Sequence, residues 1–118
     1  MGDLMRSILL MGLLTALAWG QELPKPEGTW QIAHTDGKPI VLELKADHSA
    51  TSDWGTGEVG TWLVLDAKLY LDWTDGWRDV IFWQDGQLVK WAWGPGVERT
   101  GPPTNKTSAR KLDDSPSH

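Results

Sequence analysis

The chain has 118 residues, a formal net charge of −5 and no cysteine. This length favours one domain, and the absence of cysteine excludes a disulfide framework and a cysteine-ligated metal site. The acidic balance argues against partners such as nucleic acid or an anionic membrane surface. Nine tryptophans stand against one tyrosine and one phenylalanine. Indole combines a large apolar area with one N–H donor, which suits the edge of a core or a ligand platform.

Residues 1–20 have the pattern of a secretory signal peptide. Arg6 precedes an apolar run, residues 8–18, that is too short to span a bilayer. Small-residue patterns predict cleavage after Gly20 or after Ala18, and we favour Gly20. The alternative is a buried N-terminal helix. We therefore expect a secreted or periplasmic protein that has no membrane contact once this segment is removed.

The remaining chain predicts one β-domain, residues 28–100, after an extended lead-in. The lead-in, residues 21–27, contains two prolines. The first hairpin of the domain, residues 28–46, turns at Asp36-Gly37. Pro39 follows this turn and cannot donate a ladder hydrogen bond, so its strand should lie at an edge or begin there.

Residues 60–93 predict four short strands joined by tight turns. The turns fall at Asp66-Ala67, Asp75-Gly76 and Asp85-Gly86. Asp-Gly between apolar runs is a strong hairpin signal, because both central residues of such a turn need positive φ. Alanine at the first turn is less suited to positive φ than glycine.

Two-residue turns at all three positions predict a consistent strand register. They place Trp62 opposite Leu71, Leu71 opposite Val80, and Phe82 opposite Val89. Side chains alternate between the two faces of a strand, so one face becomes a continuous apolar wall. Its predicted members are Trp62, Val64, Leu69, Leu71, Trp73, Val80, Phe82, Val89 and Trp91. Residues predicted to join them in the core are Trp30 or Ile32, Leu42 and Leu44.

The opposite face of these strands is mixed in character. It comprises Thr61, Leu63, Leu65, Lys68, Tyr70, Asp72, Asp79, Ile81, Trp83, Leu88, Lys90 and Ala92. We predict an all-β antiparallel meander of seven to eight strands, after an N-terminal signal helix. It should form a small barrel or open sandwich, since closure or covering removes free sheet edges. Residues 101–118 are rich in Pro, Ser and Asp and predict a mostly disordered tail, with a possible closing strand at 106–112.

The predicted register brings an arginine between two indoles. Arg78 faces Trp73 across one turn and Trp93 on the next strand. Together with Trp77 these residues are candidates for a ligand-binding floor at an open end of the barrel, suited to a sugar or a carboxylate. The alternative is a structural cation–π contact, worth about 0.5–2 kcal/mol, that closes this end.

The same register sets two aspartates against each other. Asp72 falls opposite Asp79, with Asp75 in the turn between them, and facing like charges destabilise a strand pair. A bound Ca²⁺ would offset the repulsion, so the three are a weak metal candidate. Solvated turn aspartates are the alternative we favour, and we predict no metal and no cofactor.

The sequence contains no catalytic motif. His34, His48 and His118 are far apart in the chain, and neither a nucleophile elbow nor a phosphate-binding glycine loop is present. We therefore predict that the protein is not an enzyme, with a hydrolase as a remote alternative.

Two patterns in the sequence resemble known families, one short and one longer. Gly28-Thr29-Trp30 resembles the G-x-W of lipocalin-like barrels, which implies that an arginine near the end of the chain, Arg99 or Arg110, packs on Trp30. A longer pattern is similar to small secreted β-domains of environmental bacteria with G-T-W and W-x-[DN]-G-[WF]-x-D motifs and a D-G hairpin. Its matching residues are Gly60, Thr61, Trp62, Trp73, Asp75, Gly76, Trp77, Asp79, Asp85 and Gly86. That resemblance implies the fold and a secreted location, and no particular reaction.

The function that we expect is non-catalytic binding of a saccharide or another small ligand. The alternative is a structural or interaction protein of the cell envelope. It would use the apolar part of the mixed face, around Leu63, Tyr70, Ile81 and Trp83.

Overall fold

A computed structural model describes residues 22–112 as one closed antiparallel barrel. Its eight strands are β1 (Gly28–Ala33), β2 (Pro39–Leu44), β3 (Ser49–Ser52), β4 (Glu58–Leu65), β5 (Lys68–Trp73), β6 (Arg78–Gln84), β7 (Gln87–Trp93) and β8 (Asn105–Lys111). Each strand pairs with the next, and β8 pairs with β1. The predicted all-β meander is confirmed, as a barrel rather than an open sandwich. The predicted signal helix lies outside the described residues, and within them no helix is long and apolar enough to cross a membrane.

The possible closing strand at 106–112 is confirmed, within a segment that was predicted to be mostly disordered. Residues 105–111 form β8, which pairs with β7 on one side and β1 on the other. Its sequence is polar, and Thr107 and Ala109 alternate inward as half-buried residues. Composition alone was a poor guide here, because this strand contributes backbone hydrogen bonds to two free edges and few apolar side chains.

Two of the three predicted two-residue turns are correct. At Asp66-Ala67 and Asp85-Gly86 all four residues have positive φ, between 52° and 80°, as a type I′ turn requires. Both resulting registers are confirmed, and the β4–β5 pairing places Trp62 opposite Leu71.

The turn between β5 and β6 is one residue longer than predicted. Trp73 N donates to Trp77 O over 2.9 Å and Gly76 N donates to Trp73 O over 3.0 Å, so residues 74–76 form a three-residue loop. Gly76, with a φ of 98°, occupies its left-handed position. Leu71 therefore faces Asp79, and the predicted pairing of Leu71 with Val80 is wrong.

This shift exchanges the two faces of β6 and β7, because a slip of one residue moves every side chain to the other side. The predicted wall is correct on β4 and β5 and wrong on β6 and β7. Val80, Phe82, Val89 and Trp91 lie on the outer face. The core cluster is Trp30, Ile32, Ile40, Leu42, Leu44, Ala50, Trp62, Leu69, Leu71, Trp73 and Ile81.

The connection between β7 and β8, residues 94–104, covers part of this outer face. Arg99 Nη2 donates to Asp72 Oδ1 over 2.6 Å and to Leu71 O over 3.1 Å. Trp93 Nε1 donates to Gly101 O over 2.9 Å. Val80 is consequently buried although it lies outside the barrel.

One end of the barrel is closed by the lead-in, residues 22–27. Trp30 Nε1 donates to the carbonyl of Pro26 over 2.8 Å, and Trp83 Nε1 donates to the carbonyl of Glu22 over 2.9 Å. Lys111 Nζ donates to the carbonyl of Lys25 over 2.8 Å. At the same end Trp62 Nε1 bonds to a backbone carbonyl of the β2–β3 turn.

The cation beside Trp30 is a lysine, and not the arginine that the motif implied. Lys111 Nζ lies 5.9 Å from the centre of the Trp30 ring, because β8 pairs Lys111 with Trp30. Arg110 points to the other face and approaches Gln31. Arg99 lies over Tyr70 on the outer surface.

Gly60 allows the Trp73 indole to lie across β4. The two residues are directly paired. A Cβ on Gly60 would lie 2.3 Å from the carbonyl oxygen of Asp72 and 2.9 Å from Cε3 of Trp73. Neither group can move without disturbing the β4–β5 ladder.

We expect Gly60→Ala to destabilise the fold by about 1–3 kcal/mol, the usual cost of overpacking. Urea denaturation measures this loss. Gly101→Ala is the matched control, since a Cβ there meets only Glu98 O, at 3.7 Å. Equal stability of the two variants would contradict the role given to Gly60.

Candidate ligand-binding cavity

The end of the barrel opposite the lead-in contains a partly open cavity of about 280 Å³. It is surrounded by the turns that join β1 to β2, β3 to β4 and β5 to β6, and by the start of β8. Apolar, aromatic and charged side chains line it together. They are Ile32, His34, Ile40, Leu42, Trp54, Glu58, Trp73, Trp77, Asp79, Lys90, Ala92 and Asn105.

Aromatic rings form the rim of the cavity. Trp54, from the β3–β4 loop, stacks on His34 with ring centres 4.2 Å apart and planes inclined by 17°. Trp54 nevertheless remains 42% exposed. Trp77 follows the β5–β6 loop, and Gly94 lies close beside its indole. Flat apolar surfaces therefore border the entrance of the cavity.

Charged and polar groups lie deeper in the barrel. Asp79 is only 5% exposed, and its Oδ2 accepts a hydrogen bond of 2.9 Å from Trp73 Nε1. Lys90 is 6% exposed, and its Nζ donates to Asn105 Oδ1 over 3.3 Å. Both charges face inward because of the three-residue β5–β6 loop.

The two buried charges influence each other. Burial raises the pKa of the Asp79 carboxyl, and the positive charge of Lys90 opposes that rise. Burial lowers the pKa of the Lys90 amine, and the carboxylates of Asp79 and Glu58 oppose that fall. Desolvation disfavours the charged form of each group, so each is easier to neutralise than in water.

Glu58 provides a third titratable group, at the start of β4. Its Oε1 accepts a hydrogen bond of 2.8 Å from Ser52 Oγ. Burial, followed by the neighbouring Asp75 carboxyl, raises the pKa of Glu58 to about 7. Glu58 can therefore exchange a proton near neutral pH.

The candidate site predicted from the sequence is divided by the barrel wall. Trp73 and Trp77 line the cavity. Arg78 instead donates from Nη2 to the carbonyl of Val97 over 2.6 Å, and Trp93 contacts residues of the 94–104 connection. Arg78 does face Trp93 as predicted, but Asp72, and not Trp73, is its partner on β5.

The three aspartates considered for a metal are also separated. Asp72 faces Arg78 rather than Asp79, so that predicted pairing is wrong. Asp75 Oδ1 accepts from Trp77 N over 3.0 Å, and Asp79 lies inside the barrel. Within residues 22–112 no group of three or more acidic or histidine side chains is placed to hold a metal ion.

Sequence reasoning missed several residues of the cavity. Trp54, Glu58, Lys90 and Asn105 were not considered as site residues. A signal for Lys90 exists, since it is the single charge within the run LVKWAW of β7. A lone charge in such a run is either exposed or held inside a polar site, and the pattern does not distinguish the two.

The chain is an eight-stranded antiparallel barrel with an apolar core, one closed end, and a cavity at the other end that aromatic, apolar and charged side chains line. Comparison of the chain with protein-family models, with curated proteins and with solved structures found no match. Its function is therefore argued from the geometry of this cavity.

The raised pKa of Glu58 predicts a pH-dependent stability. Folded Glu58 binds its proton more tightly than the unfolded residue, so its contribution is complete below pH 4.5 and is lost as the pH rises to about 7. We expect the urea midpoint of the wild type to fall across this interval relative to that of Glu58→Gln. The raised pKa of Asp79 also makes stability fall as the pH rises, and it does so in both proteins. The difference between their urea midpoints therefore isolates the contribution of Glu58.

Glu98→Gln, in the 94–104 connection, is the control for this measurement. It should reproduce the pH dependence of the wild type. The explanation fails if Glu58→Gln also follows the wild type at every pH.

Proposed function

We propose that the protein is a non-catalytic binding module that holds a small ligand in the barrel cavity, with a saccharide as the first ligand class. The observation that carries the proposal is the lining of one open cavity by three indoles and by buried polar groups. Binding cavities typically combine apolar walls with a few placed polar groups. The volume of about 280 Å³ favours a small ligand.

A sugar ring matches this combination of surfaces. Trp54 and Trp77 offer flat apolar faces at the rim, where the C–H face of a ring can stack. Asp79 and Asn105 offer oxygen atoms deeper in the barrel, where hydroxyl groups can donate.

Titration of tryptophan fluorescence with a panel of mono- and oligosaccharides tests the proposal. We expect at least one sugar to change the emission of the wild type. Trp54→Ala should weaken that sugar's binding roughly three- to tenfold, since an aromatic contact is worth about 0.5–1.5 kcal/mol. Trp91→Phe, on the outer face, is the control and should bind as the wild type does.

Two results would count against this function. One is the absence of any emission change across the panel. The other is an equal loss of affinity in Trp54→Ala and in Trp91→Phe, which would place the ligand elsewhere.

The hydrolase alternative has one observation in its favour. Glu58 and Asp79 line the same cavity, and burial raises the pKa of both carboxyl groups. Perturbed carboxyl pairs are typical of glycoside hydrolysis. Chromatography of each sugar after the titration distinguishes the two functions, because binding leaves the sugar intact.

The interaction-protein alternative is favoured by an exposed apolar stripe on β4. Val59, Leu63 and Leu65 share its outer face and are 56%, 54% and 56% exposed. The surface predicted from the sequence is different and does not exist as one face, since Ile81 is fully buried inside the barrel.

Self-association through this stripe would appear as a sedimentation coefficient that rises with concentration. Leu63→Lys should then abolish the rise, because it places a charge in the apolar contact. Gln87→Lys adds the same charge elsewhere and should leave it unchanged. A strict monomer at all concentrations would remove this alternative.

A further inference from the structure

Lys90 places a buried amine on the wall of the partly open cavity. Its side chain is 6% exposed and lines the cavity. Its hydrogen bond to Asn105 Oδ1, at 3.3 Å, is long. Lys90 forms no salt bridge with another of the described residues.

The surroundings of Lys90 suit a nucleophilic amine. A lysine in an apolar, desolvated site loses its proton more readily and can attack a carbonyl carbon. Ile32, Leu42 and Ala92 provide apolar walls of the cavity. Glu58 and Asp79 line the same space, which gives the reaction a proton donor and an anionic partner.

We propose that Lys90 condenses with an aldehyde group of the ligand and forms a Schiff base inside the barrel. This inference rests on the proposed binding function and specifies the reactive group of its ligand. It also gives the two buried charges, Lys90 and Asp79, a role that packing alone does not supply.

The reaction balances with the groups that line the cavity. The unprotonated Nζ of Lys90 forms a bond to the aldehyde carbon, the C=O π bond breaks, and the proton released from nitrogen passes to the oxygen. The protonated Glu58 carboxyl then gives a proton to the resulting hydroxyl, which leaves as water while the C=N bond forms. The Asp79 carboxylate stabilises the protonated imine, and water returns the aldehyde and the free amine in the reverse direction.

Other lysines of the described chain lie in different surroundings. Lys68 and Lys106 are exposed on the outer face, where their ammonium groups lie over Phe82 and Trp91 at 5.2 Å and 4.3 Å from the ring centres. Neither residue lines the interior cavity. They therefore serve as internal references for the reactivity of Lys90.

Reductive trapping tests the proposal. The full protein is incubated with benzaldehyde, whose ring suits the apolar and indole walls, and sodium cyanoborohydride converts any imine to a stable amine. Peptide mass spectrometry then locates the adducts. We expect labelling of Lys90 at least tenfold faster than that of Lys68 or Lys106. Comparable labelling of all three would overturn the proposal.

Two variants support the mapping. Lys90→Met keeps an unbranched apolar side chain only one atom shorter and should lose the fast adduct, whereas Lys68→Met should retain it. Fast labelling that persists in Lys90→Met, at another residue, would also overturn the assignment. If Lys90→Met does not fold, the labelling pattern of the wild type decides the question alone.

The result separates this inference from the proposed function. Reversible sugar binding in the fluorescence titration without selective trapping of Lys90 leaves the binding module standing and removes the Schiff base. Selective trapping without binding of any sugar keeps the reactive lysine and removes the saccharide as its ligand.

Discussion

The length of one hairpin loop decides what the interior of this barrel contains. The three residues 74–76 set β6 one position away from the register of a two-residue turn. The β6–β7 turn has the predicted two residues, so β7 keeps its pairing with β6 and is shifted by the same one position. As a result Asp79 and Lys90 face inward, and Phe82 and Trp91 face outward. The inward charges of Asp79 and Lys90 and the aromatic outer surface of β6 and β7 therefore follow from this one constraint.

The fold could be predicted from the sequence because its signals are local. The two-residue turns at Asp85-Gly86 and Asp66-Ala67 were enough to predict the pairing of β6 with β7 and of β4 with β5. The β5–β6 loop could not be assigned in this way, since Asp-Gly fits two geometries. In the two-residue turn Asp85 itself has positive φ. In the three-residue loop Gly76 alone takes the left-handed position, and the Asp75 carboxylate accepts a hydrogen bond from Trp77 N.

The rule that usually decides between two registers is to bury the more apolar face. That rule agrees with a two-residue β5–β6 turn, because both favour burial of Val80 and Phe82 over Asp79 and Ile81. It failed because the barrel encloses charged groups whose burial carries an energetic cost. Such local conflicts with the hydrophobic pattern are expected at functional sites. The one-residue shift of β6 and β7 explains why Trp73 and Trp77 line the cavity, whereas Arg78 and Trp93 lie outside it.

The indole N–H groups have a consequence for where the protein can remain folded. Trp30, Trp83 and Trp93 each connect the barrel to an irregular segment through a bond to a backbone carbonyl. In many small exported domains covalent sulfur bridges hold such segments, but this chain has no cysteine. Its attachment of loop to sheet therefore does not depend on thiol oxidation, and reducing and oxidising surroundings should leave the fold equally intact.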